Sequence, residues 1–374
     1  MIRLALLGSL LAATSAAGPL TENRAVAVRK QRLREKGGSR ATEKAVYAGL
    51  TWLAKHQSAD GTWDADGFMQ ADDCECDGKG GGWHGARVPS PFDMEVTALA
   101  TLAFLGAGKH ADGVFPAVVK RALAALRVSG ETLFATAFAT QALAEAFDLS
   151  GDESLRPRIE RGIEVMISSR QQQGGWRYSP GARMSSGVPT TVAVVAALRT
   201  AELAGFTVDE TYKQPVLAWL NRLQDRKTGR VKYTLDAHKL GYTPTTTNAA
   251  SALWIRTLLG KRADPMTLSA LAKRRPKWSI RWKRMKVKGV MRDVQIGYLQ
   301  HYYWWHGTEA LARTGGDAWK SWNGALKKAL LRKQRKGGHA AGSWDPAGTY
   351  GKVAGRVYST ALCTLMLETY YRVR

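Results

Sequence analysis

Linkers, strand-like segments and acidic residues are scarce or missing in this chain of 374 residues. No Pro/Ser-rich linker divides it and no half of it reads as β-rich, so we expect one domain around one core. With 45% hydrophobic residues, a chain of this length buries on the order of three-quarters of its unfolded surface. It has 31 acidic residues but 55 lysines and arginines. The resulting formal net charge of +24 favours acidic binding partners.

The N-terminal apolar stretch lacks the length of a transmembrane helix. It runs only from Leu4 to Ala13, after Arg3 and before the small residues 15–17. This order is typical of a secretory signal peptide, whereas a membrane-spanning helix needs about 20 apolar residues. We expect residues 1–17 to be a signal peptide for export to the periplasm or medium, and residues 18–40 to be a basic flexible arm. A buried first helix is the alternative for residues 1–17.

A glutamine–glycine–aromatic pattern recurs along the rest of the chain. Its first copy contains Gln57, Gly61 and Trp63, and further copies lie at residues 172–176, 224–233 and 334–344. The aromatic residues of successive copies are 113, 57 and 111 positions apart, which is close to two, one and two repeats of roughly 56 residues. Helical patterns continue near residues 120 and 288, where the pattern is missing. We therefore expect six stacked units.

Each unit reads as a pair of helices. In the first unit, Val46, Leu50 and Leu53 recur at helical spacing, and Gly61 then gives the backbone freedom to leave the helix. The second helices are rich in alanine, threonine and glycine, which suits a crowded inner ring. An open superhelix, the alternative, would need polar caps at its ends. The sequence therefore predicts an all-α fold: a single α6/α6 toroid over residues 41–374, built from six helical hairpins.

The pattern Gln-x-x-Asp-Gly-x-Trp at residues 57–63 resembles the repeat of terpenoid cyclases, such as squalene–hopene cyclase, and of protein prenyltransferase β-subunits. Segments 337–346 and 355–361 are similar to those of exported bacterial proteins with prenyltransferase/squalene-oxidase repeats. The resemblance covers residues 43–374 and implies a toroid in which glutamine and tryptophan hold neighbouring helices together. It also implies a hydrophobic isoprenoid or lipid ligand in the lumen.

The acid motif of the terpenoid cyclases is incomplete in this chain. The nearest match to Asp-x-Asp-Asp-Thr-Ala is residues 93–98, where Glu95 takes the place of the acid, Asp93 that of the first carboxylate, and Val96 replaces the last. A neighbouring carboxylate raises the pKa of an acid and keeps it protonated. Glu95 and Asp93 are therefore the candidate catalytic residues of an acid-initiated cyclase or isomerase. Stabilisation of a helix N-terminus is the alternative role.

Metal ligands are missing where the prenyltransferases have them. Ser359 stands in the place of their histidine, and residues 299–305 contain neither aspartate nor cysteine. We therefore expect no cofactor. Cys74, Cys76 and His84 form a weak candidate metal site, because their spacing is narrower than that of most zinc sites. A disulfide between the two cysteines and an acidic surface loop are the alternatives.

A run of aromatic residues is a candidate wall of a ligand site in the fifth unit. The candidate ligand-binding residues are His301, Tyr302, Tyr303, Trp304 and Trp305, together with Arg356 of the sixth unit. Helical spacing predicts that His301, Trp304 and Trp305 share one face, away from both tyrosines. Aromatic linings hold apolar or sugar-like ligands, and ordinary helix packing is the alternative. A toroidal polysaccharide lyase or hydrolase, a further hypothesis, would draw its base and cation from these residues.

Basic residues cluster in two segments. Residues 265–292 contain ten lysines and arginines and no acidic residue, and residues 327–336 contain six. Lys283, Arg284 and Lys286 are the candidate anion-binding surface. Such a surface attracts anionic lipid or acidic polysaccharide, whereas export argues against nucleic acid. A non-catalytic envelope binding module is therefore an alternative to the isoprenoid hypothesis, and a solvated basic face without a partner is a third interpretation.

Overall fold

The computed structural model describes residues 26–65, 67, 92–108, 115–181, 185–239, 241, 243–279, 281–287, 290–296, 300–346 and 348–373. Its helices are α1 (Val26–Glu35), α2 (Arg40–Lys55), α3 (Asp93–Gly106), α4 (Pro116–Ala125), α5 (Leu133–Ser150), α6 (Arg156–Ser168), α7 (Val188–Leu203), α8 (Lys213–Leu223), α9 (Thr246–Leu258), α10 (Pro265–Ala272), α11 (His301–Thr314), α12 (Gly316–Lys333) and α13 (Gly348–Arg372). The strands β1 (Arg281–Val287) and β2 (Val290–Ile296) pair antiparallel between α10 and α11.

Six helical hairpins close into a ring. The inner ring consists of α3, α5, α7, α9, α11 and α13, each packed against the next, and α13 also packs against α3 to complete the circle. The even-numbered helices from α2 to α12 form the outer ring. Inner helices are buried almost all round, as in α3 from Glu95 to Gly106, whereas outer helices bury one face. The predicted all-α, single α6/α6 toroid of six hairpins is confirmed.

The repeated glutamine joins one outer helix to the next. Gln57 Nε2 donates a hydrogen bond of 3.0 Å to the Val118 carbonyl oxygen of α4. Gln334 Nε2 donates one of 2.8 Å to the Ala45 carbonyl oxygen of α2. The sixth unit therefore contacts the first through the same bond by which the first contacts the second.

The repeated glycine allows the same joint to pack closely. Gly61 and Gly342 have left-handed φ angles of +90° and +94°. A Cβ atom would lie 2.3 Å from the Arg121 carbonyl oxygen in the first case and 2.2 Å from that of Ala48 in the second. Any other residue would force the two outer helices apart.

The repeated tryptophan joins the two helices of its own unit. The Trp63 indole donates to the Leu53 carbonyl oxygen of α2 (2.8 Å), and its backbone N–H donates to Thr97 Oγ1 of α3 (2.9 Å). Trp176 and Trp344 make the same pair of bonds in the third and sixth units. The repeat pattern is therefore structural.

The β-hairpin is an element that the sequence analysis missed, because helical patterns were expected to continue near residue 288. The pairing brings Val287 opposite Val290, with two residues between the strands. A two-residue connection that contains Gly289, next to β-branched residues, is the sequence signal of a hairpin.

Residues 26–36, expected to belong to a flexible arm, are instead docked on the ring. Helix α1 packs against α13, and Arg29 pairs with Glu43 (2.6 Å) and donates to the Tyr371 hydroxyl (3.2 Å). Arg32 donates to the Val373 carbonyl oxygen (3.2 Å). Residues 1–25, which include the expected signal peptide, lie outside the described residues, and export stays a prediction. Among the helices described, none is both long and apolar enough to cross a membrane.

Candidate functional site

Aromatic side chains fill the middle of the lumen. Phe138 of α5 and Trp305 of α11 belong to opposite helices of the inner ring, yet their ring centroids are only 6.0 Å apart. Trp254 of α9 packs edge-to-face on Trp305 at 5.1 Å. The Tyr302 hydroxyl reaches across to the Pro189 carbonyl oxygen of α7 (3.4 Å). The two ends of the lumen are therefore separate environments.

A cavity of about 340 Å³ lies at the end of the lumen where the inner helices terminate. Its volume falls within the range of small-molecule sites. All six inner helices contribute to its wall, which is partly aliphatic. The polar and aromatic lining residues include Gln141, Glu145, Arg199, Trp254, Trp305, Glu309, Arg313 and Arg372.

Carboxylates and guanidinium groups are paired in this cavity. Arg372 Nη2 of α13 contacts Glu145 Oε2 of α5 at 2.8 Å, and the two side chains are 10% and 3% exposed. Arg313 contacts Glu309 at 2.7 Å within α11. Burial opposes the charge of Arg372, but the attraction of the surrounding carboxylates outweighs it and raises the pKa of its guanidinium. The cavity wall therefore carries fixed charges of both signs.

Two further lining side chains hold buried polar atoms that lack a hydrogen-bond partner among the described residues. These atoms are the acceptor Gln141 Oε1 and the donor Trp254 Nε1. An unsatisfied buried polar atom costs about 1–3 kcal/mol. Both atoms are almost completely shielded, so a polar ligand would form hydrogen bonds with them after a small shift of the side chains around them.

Glu95 lies at the opposite end of the inner ring, in the first turn of α3, and is 8% exposed. Thr132 Oγ1 is 3.4 Å from its Oε1, while Oε2 has no hydrogen-bond partner within the described part of the chain. Burial raises the pKa of Glu95 to about 7, with a smaller contribution from Asp93. Asp93 itself accepts a hydrogen bond from the Ala65 backbone N–H (2.8 Å). Glu95 is thus a carboxyl group that retains its proton close to neutral pH.

The predicted aromatic wall is divided between the two sides of α11. Trp305 lines the cavity, whereas His301 and Trp304 pack against Trp278, with ring centroids 5.3 and 6.0 Å apart. Trp305 does not join this cluster as predicted: Trp304 and Trp305 point about 100° apart around the helix, and His301 lies between them and packs on the side of Trp304. On the outer side, Tyr303 packs on Trp322 of α12 at 5.6 Å.

The candidate base and cation of a lyase are engaged in structural roles. Burial lowers the pKa of His301 to about 4 and raises that of Tyr302 well above its usual value, so neither accepts a proton readily at neutral pH. Arg356 contacts Asp345 Oδ1 (2.9 Å) and Ser343 Oγ (3.0 Å), which anchors the segment before α13. These residues do not assemble a lyase site.

The remaining candidates lie outside the lumen or outside the described residues. Lys283, Arg284 and Lys286 lie on β1, where Arg284 is exposed. The weak candidate metal ligands Cys74, Cys76 and His84 lie outside the described residues. Within the described ranges, no group of three or more His, Cys, Asp or Glu side chains is arranged to hold a metal ion.

The charged residues of the cavity were not among the residues predicted from the sequence. A signal for them exists: Gln141 and Glu145, and likewise Glu309 and Arg313, stand four residues apart in helices composed mostly of small and apolar residues. Polar pairs at this spacing share one face of a helix. In a helix that is otherwise buried all round, that face points to a polar cavity.

No family model matches the chain, and no curated protein matches it. Solved structures share its fold at low sequence identity. An α-1,6-mannanase of glycoside hydrolase family 76 from Salegentibacter sp. HEL1_6, an inactive variant in complex with α-1,6-mannotriose, has a TM-score of 0.56 and 12% identity over 88% of this chain and 98% of its own. A type II terpene cyclase from Scytonema in complex with geranylgeranyl dihydroxybenzoate has a TM-score of 0.54 and 13% identity, over 91% and 99%.

A third similar structure is a family 76 glycoside hydrolase from a bovine Bacteroides thetaiotaomicron strain, with a TM-score of 0.55 and 13% identity over 88% of this chain and 77% of its own. Mannanases and terpene cyclases thus share the α/α-toroid fold with this protein. At these identities the similarity shows the fold alone and does not choose between their activities.

Proposed function

We propose that the toroid binds a hydroxyl-rich ligand of the carbohydrate class in the cavity at the C-terminal ends of its inner helices. The lining of the cavity carries this proposal: ion-paired carboxylate and guanidinium groups surround two tryptophans, Trp254 and Trp305. Aromatic rings pack against the apolar faces of sugars, and charged groups form strong hydrogen bonds with hydroxyl groups.

An isoprenoid chain suits this cavity less well. The fold permits both ligand classes, since one similar toroid was solved with mannotriose and another with a geranylgeranyl compound. A hydrocarbon chain would lie against Glu145, Glu309 and Arg372 without hydrogen bonding to them, and removing charged groups from water without such bonds is costly. A sugar hydroxyl, in contrast, replaces the bonds of the water that it displaces.

The unpartnered polar atoms support the same ligand class. Gln141 Oε1 needs a donor and Trp254 Nε1 needs an acceptor. A hydroxyl group is both donor and acceptor, so a ligand that presents several hydroxyl groups satisfies both atoms. The carboxylates of Glu145 and Glu309 are paired with Arg372 and Arg313 and can accept hydrogen bonds from hydroxyl groups.

Isothermal titration calorimetry with α-1,6-mannotriose, cellotriose and farnesol tests the proposal. We expect a trisaccharide to bind, and Gln141→Met to weaken its binding about tenfold, because a lost hydrogen bond costs about 1–1.5 kcal/mol. Gln172→Met, at an exposed position between α6 and α7, is the matched control and should leave binding unchanged. Binding of farnesol without binding of either trisaccharide would show that the lumen takes an apolar ligand.

A second candidate function, acid-initiated isomerisation of an isoprenoid, is supported by Glu95. A carboxyl with a pKa of about 7 is about half protonated at pH 7 and can act as a general acid. If this function is right, a polyprenyl substrate gives a product of unchanged mass, and Glu95→Gln abolishes its formation. Glu131→Gln, at a nearby exposed position, should retain it. Equal product from the Glu95 variant would exclude this role.

A further inference from the structure

Two basic segments that are distant in sequence form the walls of one groove on the outer ring. The groove has a volume of about 1000 Å³ and lies between α12 and the segment 272–278, which follows α10. Arg275 Nη1 donates to Ser321 Oγ at 2.9 Å and ties the walls together near one end. Seven exposed basic residues line it: Lys273, Arg275, Lys277, Lys320, Lys328, Arg332 and Lys333.

Small residues of α12 form the floor of this groove. Gly324 and Ala325 are among its lining residues, and a Cβ atom on Gly324 would meet nothing within 4 Å. Since an α-helix rises about 1.5 Å per residue, the row from Lys320 to Arg332 is about 18 Å long. A trough of this length accommodates an extended chain.

Among the described residues that line the groove, none is acidic. Residues 265–292 and 318–333 contain no acidic residue. The Asp317 carboxylate lies 3.4 Å from the Lys320 ammonium group, but the Asp317 side chain is 99% exposed. An ion pair this exposed contributes little free energy. The walls therefore present positive charge to whatever lies between them.

We propose that this groove binds an acidic polysaccharide, with the anionic groups of the glycan held between the two walls. The concave shape argues against a membrane, because a flat lipid surface would touch the rims and leave the floor at Gly324 uncovered. This site lies outside the lumen, so the proposal is independent of ligand binding in the cavity.

The aromatic residue of the groove argues against single-stranded nucleic acid. Proteins hold unpaired bases on free aromatic faces. Trp278 lines the groove, but its ring packs against His301 at 5.3 Å and Trp304 at 6.0 Å. The groove therefore offers positive charge but no free aromatic face for stacking. This combination fits a polyanion that has no nucleobases.

Titration with fluorescent alginate oligosaccharides, a polyuronate probe, tests the proposal against neutral dextran oligosaccharides of equal length. We expect alginate to bind and dextran not to bind. Each cation is worth about a factor of five near a dense array of negative charge, so Lys328→Gln/Arg332→Gln should weaken alginate binding about twenty-fivefold. The control Lys44→Gln/Lys120→Gln removes the same charge from exposed positions on α2 and α4 and should change binding less than about threefold.

Gly324→Gln separates a groove site from a merely charged surface. It places a long neutral side chain on the floor where space is open, keeps the net charge, and replaces glycine with a better helix former, so the fold is retained. We expect it to weaken alginate binding as well. Unchanged binding by this variant, or an equal loss in the control double variant, would overturn the proposal. Tighter binding of single-stranded DNA or phosphatidylglycerol vesicles with the same variant profile would also overturn it.

Discussion

Replacing Gln334 by leucine tests whether the ring is closed in solution. The Gln334 side chain is 5% exposed, and its Nε2 donates to the carbonyl oxygens of Ala45 and Gly342, each at 2.8 Å. A buried hydrogen bond between neutral groups contributes about 0.5–1.5 kcal/mol. The two bonds together predict that Gln334→Leu lowers the free energy of unfolding by about 2 kcal/mol.

The matched variant is Gln57→Leu, because Gln57 Nε2 donates to the Val118 and Gly61 carbonyl oxygens, each at 3.0 Å. It removes the same pair of bonds at a joint between consecutive units, together with the bond that Gln57 Oε1 accepts from Arg121 Nη2 (2.6 Å), and should therefore cost at least as much. Gln172→Leu, at an exposed position, is the baseline and should change stability by less than about 0.5 kcal/mol.

Chemical denaturation followed by tryptophan fluorescence measures all three variants. If Gln57→Leu costs about 2 kcal/mol or more while Gln334→Leu costs only about 1 kcal/mol, the value of the single bond to Gly342 within its own unit, the joint between the sixth and first units is open in solution. The closed toroid would then be refuted. A loss of about 2 kcal/mol for Gln334→Leu would show that the bond to Ala45 across the closing joint is formed.

Two further predictions concern buried charges. Arg372→Met removes the guanidinium from Glu145 and from the buried Glu368, 3.7 Å away, and should lower stability by about 3–5 kcal/mol. Glu145→Gln in the same chain should restore the part of this loss that is due to Glu145; denaturation that shows no such recovery contradicts the pairing of Arg372 with Glu145. Burial raises the pKa of Glu95 from 4.5 to about 7, so its stabilising contribution is complete below pH 4.5 and is lost as the pH rises through 7. Glu95→Gln should therefore match the unchanged protein at pH 4.5 and exceed its stability by about 3 kcal/mol at pH 8. Denaturation at both pH values checks this, and a difference independent of pH would contradict the shift.

The ring could be predicted from the sequence because the residues that repeat are those that form its joints. Gln57, Gly61 and Trp63 are spaced for contacts within one unit and with the next, and the copy at 334–344 makes the same contacts with the first unit. The β-hairpin was not predicted, because it interrupts the repeat in the fifth unit, which lacks the glutamine–glycine–aromatic pattern. The docking of α1 was missed because it depends on acceptors such as Glu43 and Tyr371, which only the fold brings near Arg29.

The cavity could not be predicted because its residues meet only after the ring closes. Glu145 and Arg372 are 227 positions apart, and no local pattern pairs them. Glu95 was found through a motif, yet the cause of its raised pKa was only partly anticipated: burial contributes more than the neighbouring Asp93. The aromatic run was located correctly in the fifth unit, but a helical wheel does not tell which face of α11 meets the lumen.

The contact between Phe138 and Trp305 limits how an elongated ligand could move through the lumen. Because these rings meet across the full diameter of the toroid, a polymer cannot thread through the centre from one mouth to the other. A glycan bound in the cavity, as proposed above, would therefore enter and leave by the same opening, and processive sliding along a strand would require both rings to swing aside.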